Sequence, residues 1–273
     1  MSARARAWCA LASLVLWSAT GPSAAAFDHG FAAYAELLRS VVREPRVDYA
    51  ALKADRDRLD RVVGTFAGPS QSEEQTWARE QRMAFWINAY NALTLKAIVD
   101  HYPIRAGVFT RLPRNSIRQI DGVWTTLRWT VAGRTVTLDD IEHKILRPTF
   151  GDARVHFALN CASVSCPLLA GEPYRADTLD ASLDTAARRY LASPEGLRVE
   201  ASTLRVSSIF KWYGEDFIAQ YSALVPQGGD AQQRAILGAI VRFGPQDAAE
   251  RARTGRPRIE YLNYNWSLND VLR

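Results

Sequence analysis

Cys161 and Cys166 form a C-x4-C pair inside the run HFALNCASVSCP, residues 156–167, which also holds His156, Asn160, Ser163 and Ser165. A thiolate is a strong nucleophile, an adjacent imidazole depresses the thiol pKa, and a third group fixes the imidazole tautomer. The chain supplies that inventory: Cys161 as nucleophile, His143 or His156 as base, and Glu142 or an asparagine as the orienting group. The chemistry is that of a hydrolase or acyltransferase of the papain-like or transglutaminase-like kind. The order is unusual for such enzymes, because both histidines precede Cys161 and the residues after it read as loop. The same pair also reads as a Cys161–Cys166 disulfide that stiffens the loop, with Ser163 and Ser165 as donors on a non-catalytic binding or scaffold surface. One C-x4-C pair supplies too few ligands for zinc and has no histidine pair to complete it, so no metal or other cofactor is expected. A serine nucleophile lacks its G-x-S-x-G elbow.

These groups need elements to hold them. Val155, Phe157 and Leu159 alternate with Arg154, His156 and Ala158, which predicts a half-buried strand ending in the cysteine loop. A long helix is predicted from Glu73 to His101, with Ser72 as N-cap and apolar residues on every face. Asn88 and Asn91 share one side of it, either pinning a neighbouring loop or lining a polar pocket with Asn160. Val123 to Leu138 reads as a hairpin turning at Ala132-Gly133. Asp139 follows as an N-cap with Glu142 as its capping-box partner, so Glu142 also has a purely structural reading, and the helix Asp140 to Arg147 carries His143.

Helices are also predicted around Leu179 to Leu191, from Ser207 and from Asp230 to Phe243. Strands are predicted at Leu197 to Val199, Leu204 to Val206 and Ile259 to Trp266. Helices and hairpins segregate, which gives an α+β fold: a single domain with a buried central helix packed on a small, mostly antiparallel sheet. An N-terminal helical segment, 27–72, precedes the core region 73–273 within one globular unit.

Residues 1–26 read as a signal peptide: basic Arg4 and Arg6, an apolar run from Ala7 to Trp17, and the small residues Ala24-Ala25-Ala26. The run falls short of the roughly 20 residues that span a bilayer, so no stable membrane span is expected after signal removal. A periplasmic or secreted location follows, with an unidentified envelope ligand or protein as partner. The formal charge of +5 drops to about +3 once Arg4 and Arg6 leave. Without a basic stripe interleaved with stacking aromatics, nucleic-acid binding is not expected.

The segments 85–93 (FWINAYNAL), 138–147 (LDDIEHKILR), 156–159 (HFAL), 163–167 (SVSCP), 209–213 (IFKWY), Asp216-Phe217 and 265–269 (NWSLN) resemble the domain of unknown function 547 family, over roughly Gln75 to Phe217 plus the C-terminal piece. The resemblance brings no settled biochemical activity. In plant members serine and aspartate stand where Cys161 and Cys166 stand here. A chemistry common to the family would therefore rest on Asn88, Asn91, His143, His156, Ser163, Ser165 and Pro167.

Overall fold

The computed structural model describes residues 26–105, 112–227, 229–254 and 256–271. The expected signal peptide lies, apart from Ala26, outside the described residues. Among the described residues no helix is long and apolar enough to cross a membrane.

The chain folds as an α+β single domain dominated by helices. It opens with α1 (Ala32–Val41), the two-residue strands β1 (Val42–Arg43) and β2 (Arg46–Val47), α2 (Tyr49–Ala54), α3 (Arg56–Ala67) and α4 (Gln71–Thr76). Ser70, not Ser72, caps α4, its Oγ accepting from Glu73 N–H at 3.1 Å. The predicted long helix is therefore interrupted at Trp77-Ala78 and restarts as α5 (Arg79–His101), where Gln81 Oε1 accepts the Ala78 N–H. Met83 to Leu95 of α5 is buried without a break, so its apolar residues on every face are matched by neighbours on every face. Those neighbours are chiefly α2, α3 and the π-helix introduced below. Buried Glu74 ties α4 to α5 and to the next hairpin through Arg82 at 2.9 Å, Trp86 Nε1 at 2.9 Å and Arg134 at 2.8 Å.

That hairpin, β3 (Trp129–Val131) with β4 (Arg134–Val136), is shorter than its apolar pattern suggested, because residues 121–126 coil into turns. Ala132 and Gly133 both have positive φ (45° and 66°), the backbone of a two-residue hairpin turn. A Cβ at Gly133 would come within 3.2 Å of Gln71 N, so glycine also permits the close approach of α4.

A π-helix (Asp140–Leu146) runs into α6 (Arg147–Phe150), followed by the single turn α7 (Val155–Ala158) and by α8 (Leu179–Leu191). The predicted strand at 155–159 is thus a helical turn. Asp152 starts it: its carboxylate accepts Arg154 N–H and its carbonyl accepts Val155 N–H. The alternation misled because this segment has no solvent side. Val155 and Ala158 pack in one apolar cluster, Phe157 packs in a second, and His156 is buried between them.

The second cluster is covered by β5 (Leu197–Glu200), β6 (Thr203–Val206), α9 (Ile209–Tyr213), α10 (Ile218–Tyr221), α11 (Ala231–Phe243), α12 (Gln246–Arg253) and β7 (Arg258–Tyr261). The sheet order is β5-β6-β7, the first pair antiparallel and the second parallel. The closing strand ends at Tyr261, earlier than predicted. Beyond it the chain stitches the cysteine loop to β2: Ser163 bridges Leu268, and Val47 bridges Asp270. Tyr49 Oη donates to Asn269 Oδ1 at 2.8 Å from the N-terminal side.

Candidate active site

The predicted Asp139–Glu142 capping box is instead Thr137 with Asp140. Asp140 N–H donates to Thr137 Oγ1 at 3.0 Å, and Thr137 N–H donates to Asp140 Oδ2 at 2.9 Å. Lys144 and the Thr137 N–H lower the Asp140 carboxyl to about 2. With the cap placed earlier, Glu142 has no capping duty. The i→i−5 bond from Arg147 N–H to Glu142 O widens the turn, a feature that recurs at functional sites. Glu142 is buried on a cavity wall and accepts from the Tyr213 hydroxyl; burial and Glu142 push that hydroxyl's pKa far up.

His156 sits deeper. Its Nε2 lies 2.7 Å from Asp216 Oδ2, and its ring stacks on Tyr213 at 4.0 Å between centroids. Arg147 grips the same carboxylate with two bonds, Nε to Oδ2 at 2.6 Å and Nη2 to Oδ1 at 2.9 Å. Burial raises the Asp216 pKa, but the bonds from His156 and Arg147 outweigh it and hold the carboxyl well below its ordinary range. An ionised carboxylate only accepts, so His156 Nε2 carries the proton and Nδ1 is left facing Glu142 Oε1, 3.8 Å away. Arg147 Nη1 also lies 2.9 Å from His143 Nδ1. A guanidinium only donates, so His143 Nδ1 accepts and its remaining proton is on Nε2, 3.9 Å from Asp139.

The cysteine loop turns through Ala162, whose φ of 58° is rare for a residue with a Cβ. Surrounding bonds fix this conformation. Asn160 Oδ1 accepts Ala162 N–H, Asn160 Nδ2 donates to Pro167 O, and Asn269 N–H donates to Ala162 O. Ser165 Oγ accepts Asn265 N–H. The amides of Asn88 and Asn91 are likewise occupied by backbone: Asn88 grips Tyr174 N–H and O, and Asn91 bridges Ala158 O and Asn160 N–H. Asn88, Asn91, Asn160 and Ser165 therefore set the loop and its supports, and none of them borders the cavity.

Cys161 and Cys166 are free thiols, not the expected disulfide. Cys161 N–H points at Cys166 Sγ, 2.7 Å away, and Cys166 Sγ lies 3.8 Å from Leu159 O. Partly buried, Cys161 has its Sγ 3.2 Å from both Ser163 Oγ and Tyr264 Oη. Burial acts to raise its pKa, but hydrogen bonds from Cys166, Ser163 and Tyr264 outweigh that, and the net shift is downward. Cys166, buried beside the other sulfur, is pushed well up. The two thiols are thus differentiated, Cys161 toward thiolate and Cys166 toward thiol.

Glu142, His143, His156, Cys161 and Cys166 border one cavity of about 370 Å³. A second cavity of about 400 Å³, beside α8, is bordered by no cysteine or histidine. Sequence reasoning missed Arg147, Tyr213, Asp216 and Tyr264. The last three fall in or beside aromatic-rich segments that read as core, and nothing in their spacing pairs them with His156 or Cys161.

Fold and cavity together define an α+β protein whose site combines a hydrogen-bonded thiol with a carboxylate-oriented histidine. Residues 74–191 match the family described as "Protein of unknown function, DUF547". The match carries α5, the π-helix, both cavity histidines and the cysteine loop. It stops before Asp216 and Tyr264 and is shorter than the span to Phe217 that the motifs suggested. No curated protein and no solved structure matches the chain.

Proposed function

We propose that this protein is an exported thiol hydrolase or acyltransferase acting on an envelope substrate, with Cys161 as nucleophile and His156 as acid–base group. The carrying observation is the pair of hydroxyls, Ser163 Oγ and Tyr264 Oη, each 3.2 Å from Sγ of Cys161, a residue that borders the same cavity as His156. Hydroxyl donors at that distance stabilise a thiolate. A binding surface needs donors alone, whereas an ionisable sulfur and an oriented imidazole on one cavity are the equipment of acyl transfer.

In the proposed reaction Cys161 Sγ bonds to the acyl carbon of an amide or ester, and the bond from that carbon to the leaving group breaks. The thiol proton passes through His156 Nδ1 to the leaving group. Water, or an amine in transfer, then attacks the thioester. Its proton returns through Nδ1 and Sγ is released. Asp216 keeps Nε2 protonated throughout and stabilises the imidazolium, as does Glu142 from the Nδ1 side.

The test is single-turnover acylation with p-nitrophenyl acetate. The expected result is a burst of p-nitrophenolate and an acetyl group mapped to Cys161, both absent in Cys161→Ser. Acetylation of surface amines alone, at the same rate in Cys161→Ser, would leave the cavity as a ligand-binding site.

A further inference from the structure

Among the described residues, the rim of the cavity holds a cation with no paired carboxylate. Arg118 is exposed, borders the cavity and lies over the Trp266 indole, 5.0 Å from the ring centroid. Among the described residues no carboxylate pairs with it. The acids of the cavity are engaged elsewhere, Glu142 with Tyr213 and His156 and Asp139 beside His143. The flanking sequence is of one sign: Arg105, Arg111, Arg114, Arg118 and Arg128 share their stretch with Asp121 as its sole acid. A guanidinium resting on an aromatic face keeps its N–H edge free, and that edge matches a carboxylate in bidentate geometry.

The aromatic rim narrows the class of ligand. Trp212 stacks on Trp266 at 5.8 Å and 27°, and Arg118 also covers Trp266, so that ring offers no open platform for the flat face of a sugar. The rim thus offers the exposed Trp212 ring and the Arg118 guanidinium side by side on Trp266, an apolar surface with a charged edge for an acyl chain that carries a carboxylate.

We infer that the cavity takes an anionic peptide as acyl donor, with a substrate carboxylate paired to Arg118 while the acyl carbon is presented to Cys161. This rests on the thiol acyl-transfer reading above and adds the substrate class to it.

The test compares N-chloroacetyl-glutamate with its neutral diamide. Each alkylates a thiol by forming an S–C bond with loss of chloride. Relative to their rate ratio with N-acetylcysteine, the acid should be favoured at Cys161 by about tenfold, the scale of one charge-assisted hydrogen-bonded pair. Arg118→Gln should abolish that preference and Arg118→Lys should keep part of it. An acid-to-diamide ratio equal to that of N-acetylcysteine, or one untouched by Arg118→Gln, would overturn the inference while leaving the thiol chemistry in place. If Cys161 reacts with neither probe, the thiol reading has failed, and tryptophan fluorescence then decides the inference alone. A saturable change with N-acetyl-glutamate, absent with N-acetyl-glutamine and absent in Arg118→Gln, supports it. No such change, or tighter saturation by glucuronate than by N-acetyl-glutamate, overturns it.

Discussion

Asp216 Oδ2 stands 2.7 Å from His156 Nε2 on a carboxylate whose two oxygens both accept from Arg147. The two residues lie far apart in sequence and meet because the single turn α7 is buried against the α9–α10 region. This contact fixes which imidazole nitrogen holds the proton and leaves Nδ1 for work in the cavity.

Replacing Asp216 by Asn should disable the histidine with little change in shape. An amide can donate to Nε2 and so invert the tautomer, putting the proton on Nδ1. Acylation of Cys161 by p-nitrophenyl acetate should slow on the order of a hundredfold, within the range of general acid–base contributions. Stopped-flow release of p-nitrophenolate checks this. An unchanged rate would remove His156 from the reaction.

Cys161 should titrate below an ordinary thiol, and the hydroxyls around it should be the reason. Tyr264→Phe and Ser163→Ala each remove a donor to the sulfur, so the midpoint of alkylation rate against pH should move upward in both. Iodoacetamide rates measured from pH 5 to pH 10 read this directly. Superimposable profiles would mean that the hydroxyls do not set the pKa.

Asn88 and Asn91 should separate structural support from site support. Removal of either amide leaves a buried backbone N–H and a buried carbonyl unmatched, at about 1–3 kcal/mol per group. Urea denaturation should therefore place Asn88→Ala and Asn91→Ala alike among destabilised variants. Only Asn91→Ala loosens Asn160 and with it the Cys161 turn. Its alkylation profile should move toward that of a free thiol while that of Asn88→Ala stays put.

Acid should weaken the fold through Asp140 and Asp216. Both have pKa values below the unfolded reference of 3.8, Asp140 at about 2. The stability each adds is fully present above that reference and is lost as pH falls through the folded value. Chemical denaturation midpoints should accordingly hold level down to about pH 5 and decline between pH 4 and pH 2. In Asp140→Asn the decline should be shallower, and an equal decline would exclude Asp140 as a contributor.

Local signals in this sequence were readable where the reason for them is local. The turn at Ala132-Gly133, the helix Leu179–Leu191 and the Gly244 stop after Phe243 follow from turn chemistry, apolar spacing and capping, and the structure has them at or next to those positions. The cap expected at Asp139 lies two residues earlier because Thr137 and Asp140 satisfy the same chemistry there. The strand expected at Val155 failed for a different reason. Period-two alternation implies a polar face, and here His156 is enclosed by Tyr213 and Phe217, contributed from roughly sixty residues downstream. The same holds for the site. Glu142, His143, His156 and Cys161 were legible as residue types near one another in sequence. Tyr213, Asp216 and Tyr264 reach them only through tertiary packing, which no spacing in the chain encodes.

The most direct measurement is to alkylate the purified native protein with iodoacetamide at pH 6 without reductant, weigh it and map the adduct. The expected result is a single adduct on Cys161, formed faster than on the same cysteine in urea, with Cys166 unlabelled and reduced. An adduct rate at Cys161 no greater than in the unfolded chain, or a protein two protons lighter with neither sulfur available, would contradict Cys161 as the nucleophile.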